Sequence, residues 1–144
     1  MRTLVTGFRG MVGSAVKDVF KDHELILTDI QELDVTDYDL VMSYADRKPE
    51  IIIHLAAETN LETCKQNPAE AYLTNHTGTL HMAMLAYKLN IPLVYISTAG
   101  IFDGRKDAGY NEQDEPGAIN HYGRSKWFGE VALMPYRYWK KWIF

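Results

Sequence analysis

Eight residues near the amino terminus constrain this chain more than any others. The run Thr6-Gly7-Phe8-Arg9-Gly10-Met11-Val12-Gly13 spaces its glycines three apart. The apolar pair Leu4-Val5 leads in, and a run with helical spacing, Met11 to Phe20, leads out. Glycines of this spacing at a strand-to-helix junction suit a phosphate cradle. Gly7 suits the tight turn, Gly10 has no Cβ where a pyrophosphate would approach, and Gly13 lets the new helix pack close to the strand. The free N–H groups and positive dipole end of that helix then face the anion. Three spaced glycines also occur in plain tight turns, so the rest of the chain must decide.

Strands are expected at Arg2 to Thr6 and Glu24 to Thr28, joined by the helix from Met11. A strand, crossover helix and strand of this length make a right-handed parallel unit. Asp29 follows the second strand, near the usual place for a carboxylate that grips a ribose. Leu33-Asp34-Val35 reads as a very short strand, followed by a helix over about Tyr38 to Arg47 capped by Thr36 or Asp37. Ile51 to Leu55 is a β-branched run suited to a central parallel strand covered on both faces. Ala56-Ala57 then allows close backbone approach, and His54 reads as a hydrogen-bonded core histidine. Asn60 to Gln66 suits a short helix, and Pro68 to Leu89 a long one. Asn75 and Gly78 interrupt the long helix; a glycine there costs about 1 kcal/mol relative to alanine, so a close packing partner is expected. The strand Leu93 to Ile96 precedes a long irregular stretch, Ser97 to Ile119, and a helix from about His121 to Leu133.

A chain of 144 residues reads as one domain. Its formal charge of −4 argues against a dedicated nucleic-acid binder. The single cysteine, Cys64, fits a reducing compartment, and without a Cys/His cluster no metal is expected. No apolar run approaches the ~20 residues of a membrane span, and the amino terminus leads straight into a strand. A cytoplasmic protein with no membrane partner is the expectation.

Tyr122 and Lys126 lie four apart on the last expected helix and therefore share a face. An ammonium near a phenol favours the phenolate, which makes the phenol a usable acid or base near neutrality. Ser97 and Thr98, at the end of the preceding strand, can bring a hydroxyl to the same place. Tyr-x-x-x-Lys recurs at Tyr44/Lys48 and Tyr136/Lys140. The first pair ends a helix at the amino edge of the sheet, and the second follows a proline with no strand before it. Both read as packing or surface residues.

Taken together, Thr6-Gly7-x-x-Gly10-x-x-Gly13, His54-Leu55-Ala56-Ala57, Asn75, Ser97-Thr98 and Tyr122-x-x-x-Lys126 resemble the first half of the extended short-chain dehydrogenase/reductases. Leu33-Asp34-Val35-Thr36-Asp37, the run Ser97 to Gly104, Tyr110-x-Glu112-x-Asp114 and Tyr122-Gly-Arg-Ser-Lys126 are most similar to the dTDP-4-dehydrorhamnose reductase family. The turn Phe8 to Ala15 is instead similar to that of GDP-fucose synthases. The resemblance covers about residues 1 to 130. It implies a Rossmann-like doubly wound α/β parallel sheet of about five strands, without the usual C-terminal substrate lobe. It also implies NAD(P)-dependent reduction of a keto group on a nucleotide-activated sugar, the chemistry of dTDP-rhamnose biosynthesis.

By the same resemblance, Tyr122 would protonate the forming alkoxide. Lys126 would hold the nicotinamide ribose and draw the Tyr122 phenol toward its ionised form. Thr98 would polarise the carbonyl beside Ser97. Gly7, Arg9, Gly10, Met11 and Val12 would hold the pyrophosphate, Asp34 and Val35 the adenine, and Ala56, Ala57 and Thr59 would pass under the cofactor. Asp29 favours NAD(H), whereas Arg9 suits the 2′-phosphate of NADP(H). Ala99-Gly100 stands where the reductase pattern usually has Asp-Tyr. Residues 1–133 read as the dinucleotide-binding domain and 134–144 as an aromatic, basic tail without an assigned role, suited to cover a sheet edge or meet a partner. A homo-oligomer is allowed. An epimerase or dehydratase on the same scaffold, or a truncated NAD(P)-binding module without its own catalysis, is the alternative reading.

Overall fold

The computed structural model describes residues 1–139 and 142–143, with side chains through residue 136. Five parallel strands form one sheet in the order β2-β1-β3-β4-β5. The strands are β1 (Arg2–Thr6), β2 (Glu24–Thr28), β3 (Ile51–His54), β4 (Leu93–Tyr95) and β5 (Trp142–Ile143). The helices are α1 (Met11–Val19), α2 (Tyr38–Ser43), α3 (Leu61–Gln66), α4 (Pro68–Tyr72), α5 (Thr79–Leu89) and α6 (His121–Leu133). The chain steps outward from β1 to β2, then returns to the other side of β1 to lay down β3. Right-handed crossovers place α1 and α5 on opposite faces of the sheet. The carboxyl ends of β1 and β3 flank the point where the winding reverses, and open α/β sheets bind ligands at such a point. Among the described residues no helix is long and apolar enough to cross a membrane.

The core explains the central strands. Leu4, Ile52, Leu93 and Tyr95 pack against Met82, Ala83, Leu85 and Ala86 of α5, all buried. Residues of a parallel strand covered on both faces read as continuous apolar runs, as Ile51 to Ile53 do. The apolar stripe of α1 is used only in part: Gly13 and Val16 are buried, whereas Met11, Val12 and Val19 are exposed.

Two expected elements differ. Leu33-Asp34-Val35 is not a strand. Asp34 Oδ1 accepts the N–H (2.9 Å) and the hydroxyl (2.7 Å) of Thr36 and closes a turn. Leu33 and Val35 reach the core as single side chains from that turn. The helix expected over Pro68 to Leu89 is broken by a π-helical segment, Leu73–Gly78. Asn75 lies inside it, fully buried. Its Oδ1 accepts the Glu58 N–H (2.8 Å), and its Nδ2 donates to the Glu58 carbonyl (2.9 Å) and to Ser125 Oγ (2.9 Å). Such insertions are frequent at functional sites because they turn one side chain inward. The packing partner expected for Gly78 is Val35: a Cβ on Gly78 would stand 2.6 Å from Val35 Cγ2.

The sheet's fifth strand comes from the tail. Trp142 and Ile143 pair with Leu93 and Val94, so the backbone of the tail covers the edge of β4. The tail's side chains from residue 137 onward, and Lys140 of the Tyr136/Lys140 pair, lie outside the described residues. The Tyr44/Lys48 pair is structural. Tyr44 donates its hydroxyl to the Glu32 carbonyl (2.8 Å), and Lys48 takes the left-handed conformation (φ 50°) that ends the helical segment.

Candidate active site

The glycine turn begins where β1 ends. Gly7 has φ +69°, in the left-handed region that favours glycine, and a Cβ there would stand 2.7 Å from Ala56 N. Gly7 therefore serves both the turn and the close approach of the β3 end. Gly13 packs onto its own turn: a Cβ there would collide with the Gly7 carbonyl oxygen and the Phe8 backbone. Gly10 differs. A Cβ there would meet only the Gly7 oxygen, at 3.3 Å. Packing constrains this glycine far less than Gly7 or Gly13, and beyond that one oxygen its missing side chain leaves open space. No side chain caps the start of α1, and its first turn carries no acid. The leading N–H groups of a helix have no intrahelical partner, which suits an anion.

These features open on one cleft of about 520 Å³, within the range of small-molecule sites. Gly7, Gly10, Met11, Val12, Asp29, Asp34, Val35, Ala56, Ala57 and Thr59 line it, and Ser97, Tyr122 and Lys126 line its far side. The fold thus gathers residues from Gly7 to Lys126, far apart in the sequence, at one end of the sheet. Two of the singled-out residues are not on its wall, Arg9 and Thr98. Sequence reasoning missed Leu55, Glu58, Glu70, Thr74 and Ile96, which also line it.

Lys126 is only 4% exposed, and its Nζ lies 4.1 Å from the centroid of the Tyr95 ring. The Tyr95 hydroxyl donates to the Lys126 carbonyl at 3.1 Å. Burial pulls the lysine down to about 8 against the opposing attraction of Glu130. Burial also pushes Tyr95 well above the usual phenol range, so Tyr95 acts as a neutral ring beneath a cation. Both partners had sequence signals. Tyr95 precedes Ser97 by two on a strand, and Glu130 continues the Tyr122/Lys126 spacing by one more helical turn.

The hydroxyls have different duties. Ser97 Oγ donates to Glu130 Oε1, so its proton is committed. Thr98 Oγ1 accepts the Gly100 N–H at 3.1 Å, and its proton has no acceptor among the described residues. The Tyr122 hydroxyl makes no hydrogen bond among the described residues, while the Tyr122 carbonyl accepts Ser125 Oγ at 2.8 Å. Of these three hydroxyls, those of Thr98 and Tyr122 have protons without an acceptor among the described residues.

Behind the cleft, His54 is the core histidine the sequence suggested. Thr79 Oγ1 donates to the Asn75 carbonyl (2.7 Å), so it accepts from His54 Nε2 (3.2 Å). Nε2 then carries the proton, and His54 Nδ1 accepts the Thr6 hydroxyl at 2.7 Å. Burial, then the nearby Lys126 charge, lowers His54 to about 3 and keeps it neutral. The same Thr6 oxygen accepts the N–H groups of Leu55 and Ala56, each at 3.2 Å. One neutral network thus fixes the segment under the cleft and reaches the helix that carries Tyr122.

Residues 1–141 match the family model for the RmlD substrate binding domain. A dTDP-4-dehydrorhamnose reductase from Sinorhizobium fredii is 37% identical over 139 residues, which is 92% of this chain and 46% of that protein. The solved structure of a dTDP-4-dehydrorhamnose reductase from Clostridium acetobutylicum superposes with a TM-score of 0.92 at 32% identity, over 99% of this chain and 51% of that one. The dTDP-4-dehydrorhamnose reductase from Bacillus anthracis, solved in complex with NADP, gives a TM-score of 0.90 at 30% identity, over 98% of this chain and 51% of that one. The chain spans about half the length of the curated relatives it matches.

Proposed function

The chain belongs to the RmlD substrate binding domain family, and from that premise we propose that it serves the reduction of a keto group on a nucleotide-activated sugar, using NAD(H) or NADP(H). The observation that carries this reading is a single cleft with the open glycine turn at one end and Ser97, Tyr122 and Lys126 at the other. The pyrophosphate would lie against Gly7, Gly10 and the N–H groups of Met11 and Val12. Asp29 would accept from a ribose hydroxyl, Asp34 and Val35 would face the adenine, and Ala56, Ala57 and Thr59 would lie beneath the cofactor. Lys126 would hold the second ribose. Held by these residues, a reduced nicotinamide would supply hydride to the keto carbon. Tyr122, on the wall, would transfer a proton to the keto oxygen as it gains the electron pair, and Thr98, which stands off the wall beside Ser97, would reach that oxygen with its uncommitted proton only if the bound sugar enters beside it. Ser97, whose own proton goes to Glu130, accepts from a sugar hydroxyl.

The relatives named as dTDP-4-dehydrorhamnose reductases support a dTDP-4-keto-6-deoxy sugar as substrate. A second reading, a dinucleotide-binding module without its own turnover, is favoured by the lining of the cleft, most of which belongs to the cofactor side. Loss of reduced-nicotinamide absorbance with dTDP-4-keto-6-deoxyglucose separates the two. Turnover supports the reductase. Quenching of tryptophan fluorescence by NADH or NADPH without turnover supports the module.

A further inference from the structure

We propose that Glu32 sets the cofactor preference of the cleft: it holds Arg9 off the wall, so that the site takes a dinucleotide with a free ribose 2′-hydroxyl over one with a 2′-phosphate. The inference rests on the dinucleotide reading above and gives it a specificity residue.

Arg9 belongs to the glycine turn, and its backbone is fixed beside Asp29 by an N–H to Oδ2 bond of 3.0 Å. From that position its side chain is within reach of whatever Asp29 binds. It is directed elsewhere. Its Nη1 and Nη2 form a two-pronged pair with Glu32 Oε2 (2.8 Å) and Oε1 (2.5 Å), and the guanidinium lies over the Phe8 ring. Glu32 is itself anchored, since Oε2 accepts the Asp29 N–H at 2.9 Å. One short turn, Asp29 to Glu32, therefore presents a carboxylate to the cleft and ties away the arginine beside it. Arg9 holds the Glu32 carboxyl down to about 2, so the pair persists at neutral pH.

What remains on the wall discriminates by charge. The two oxygens of Asp29 accept the N–H groups of Arg9 and of Ile30 (2.9 Å). Each keeps a lone pair for a ribose hydroxyl, which can donate, and offers nothing to a phosphate, which cannot. Asp34, Glu58 and Glu70 add negative charge, and among the described residues Lys126 is the one cation on the wall, at its far side. An arginine freed from its carboxylate is the side chain best suited to grip a phosphate with two parallel bonds. Both partners of the Arg9–Glu32 pair are substantially exposed. Such a pair adds little to stability, so replacing Glu32 leaves the fold intact.

Calorimetric titration of the full chain with NAD and with NADP tests this on three proteins: wild type, Glu32→Gln, and Glu32→Gln with Arg9→Gln. Wild type is expected to bind NAD at least about tenfold more tightly than NADP, and Glu32→Gln to shift that ratio toward NADP by about tenfold or more. The gain is expected to appear in NADP affinity and to disappear when Arg9→Gln is added. A wild type that prefers NADP, an unchanged ratio in Glu32→Gln, or a gain that survives Arg9→Gln overturns the inference while leaving the dinucleotide site standing. Binding of neither dinucleotide to wild type overturns the site itself, and this inference with it.

Discussion

Replacing Lys126 by methionine should make the protein more stable at neutral pH. The side chain is almost fully buried, and among the described residues its ammonium is attracted by Glu130 and the Tyr95 ring. Its folded-state pKa is about 8, against 10.5 for an ordinary lysine. At about 1.4 kcal/mol per tenfold change in proton affinity, keeping it charged costs on the order of 3 kcal/mol. The attraction of Glu130 is already included in that figure. Below pH 8 the folded and unfolded chains both hold the proton, so the whole cost is present. As pH rises from 8 to 10.5 the folded chain gives up the proton while the unfolded chain keeps it. The unfolded state then binds more protons, and stability rises with pH. Methionine fills a similar volume and removes the charge. Allowing roughly 1–2 kcal/mol for the lost cation–π contact, Lys126→Met should gain about 1–2 kcal/mol at pH 7. That advantage should fade by about pH 10. Urea unfolding of both proteins at several pH values measures it, and their difference isolates the lysine because the other groups are shared. A variant that is less stable at pH 7, with a difference that does not change up to pH 10, would refute the reasoning.

Two further substitutions probe the same cleft. Asn75→Ala strips the N–H and carbonyl of Glu58 of their partner and should cost about 2–4 kcal/mol in urea unfolding; a cost below about 0.5 kcal/mol would mean that water replaces the amide freely. Tyr122→Phe should lower turnover by about 10²-fold or more while leaving dinucleotide affinity nearly unchanged, because the hydroxyl acts on the substrate and not on the cofactor. Retained turnover in that variant would remove Tyr122 from the chemistry.

The parts of this molecule legible in the sequence are those whose signal is local. The glycine spacing, the β-branched run at Ile51 and the four-residue interval from Tyr122 to Lys126 each depend on neighbours within a turn or a strand. The elements misread, or read only in part, depend on distant ones. Leu33 and Val35 alternate as a strand would, but they pack into the core from a turn. The break in the long helix follows from the bonds of Asn75 to Glu58 and Ser125, 17 and 50 residues away. Arg9 is legible as a cation in the glycine turn, but its pairing with Glu32, 23 residues on, is visible only in the fold. The bond that commits the Ser97 proton comes from Glu130, 33 residues beyond it, and no local pattern around Ser97 announces it. Polar side chains near a site can choose among several partners, and only the folded chain shows which they take.

The central claim is that the glycine turn cradles a dinucleotide, and Gly10 tests it most directly. A Cβ at this position meets one atom, the Gly7 carbonyl oxygen at 3.3 Å, which must give slightly, so Gly10→Val should still fold, at a cost of about 1–2 kcal/mol for the poorer N-cap and that close contact. Its branched side chain would fill the space left for the pyrophosphate. Titration of NADH into both proteins should show binding to wild type and a loss of about 100-fold or more in the folded variant. Equal affinity for the two would contradict the account.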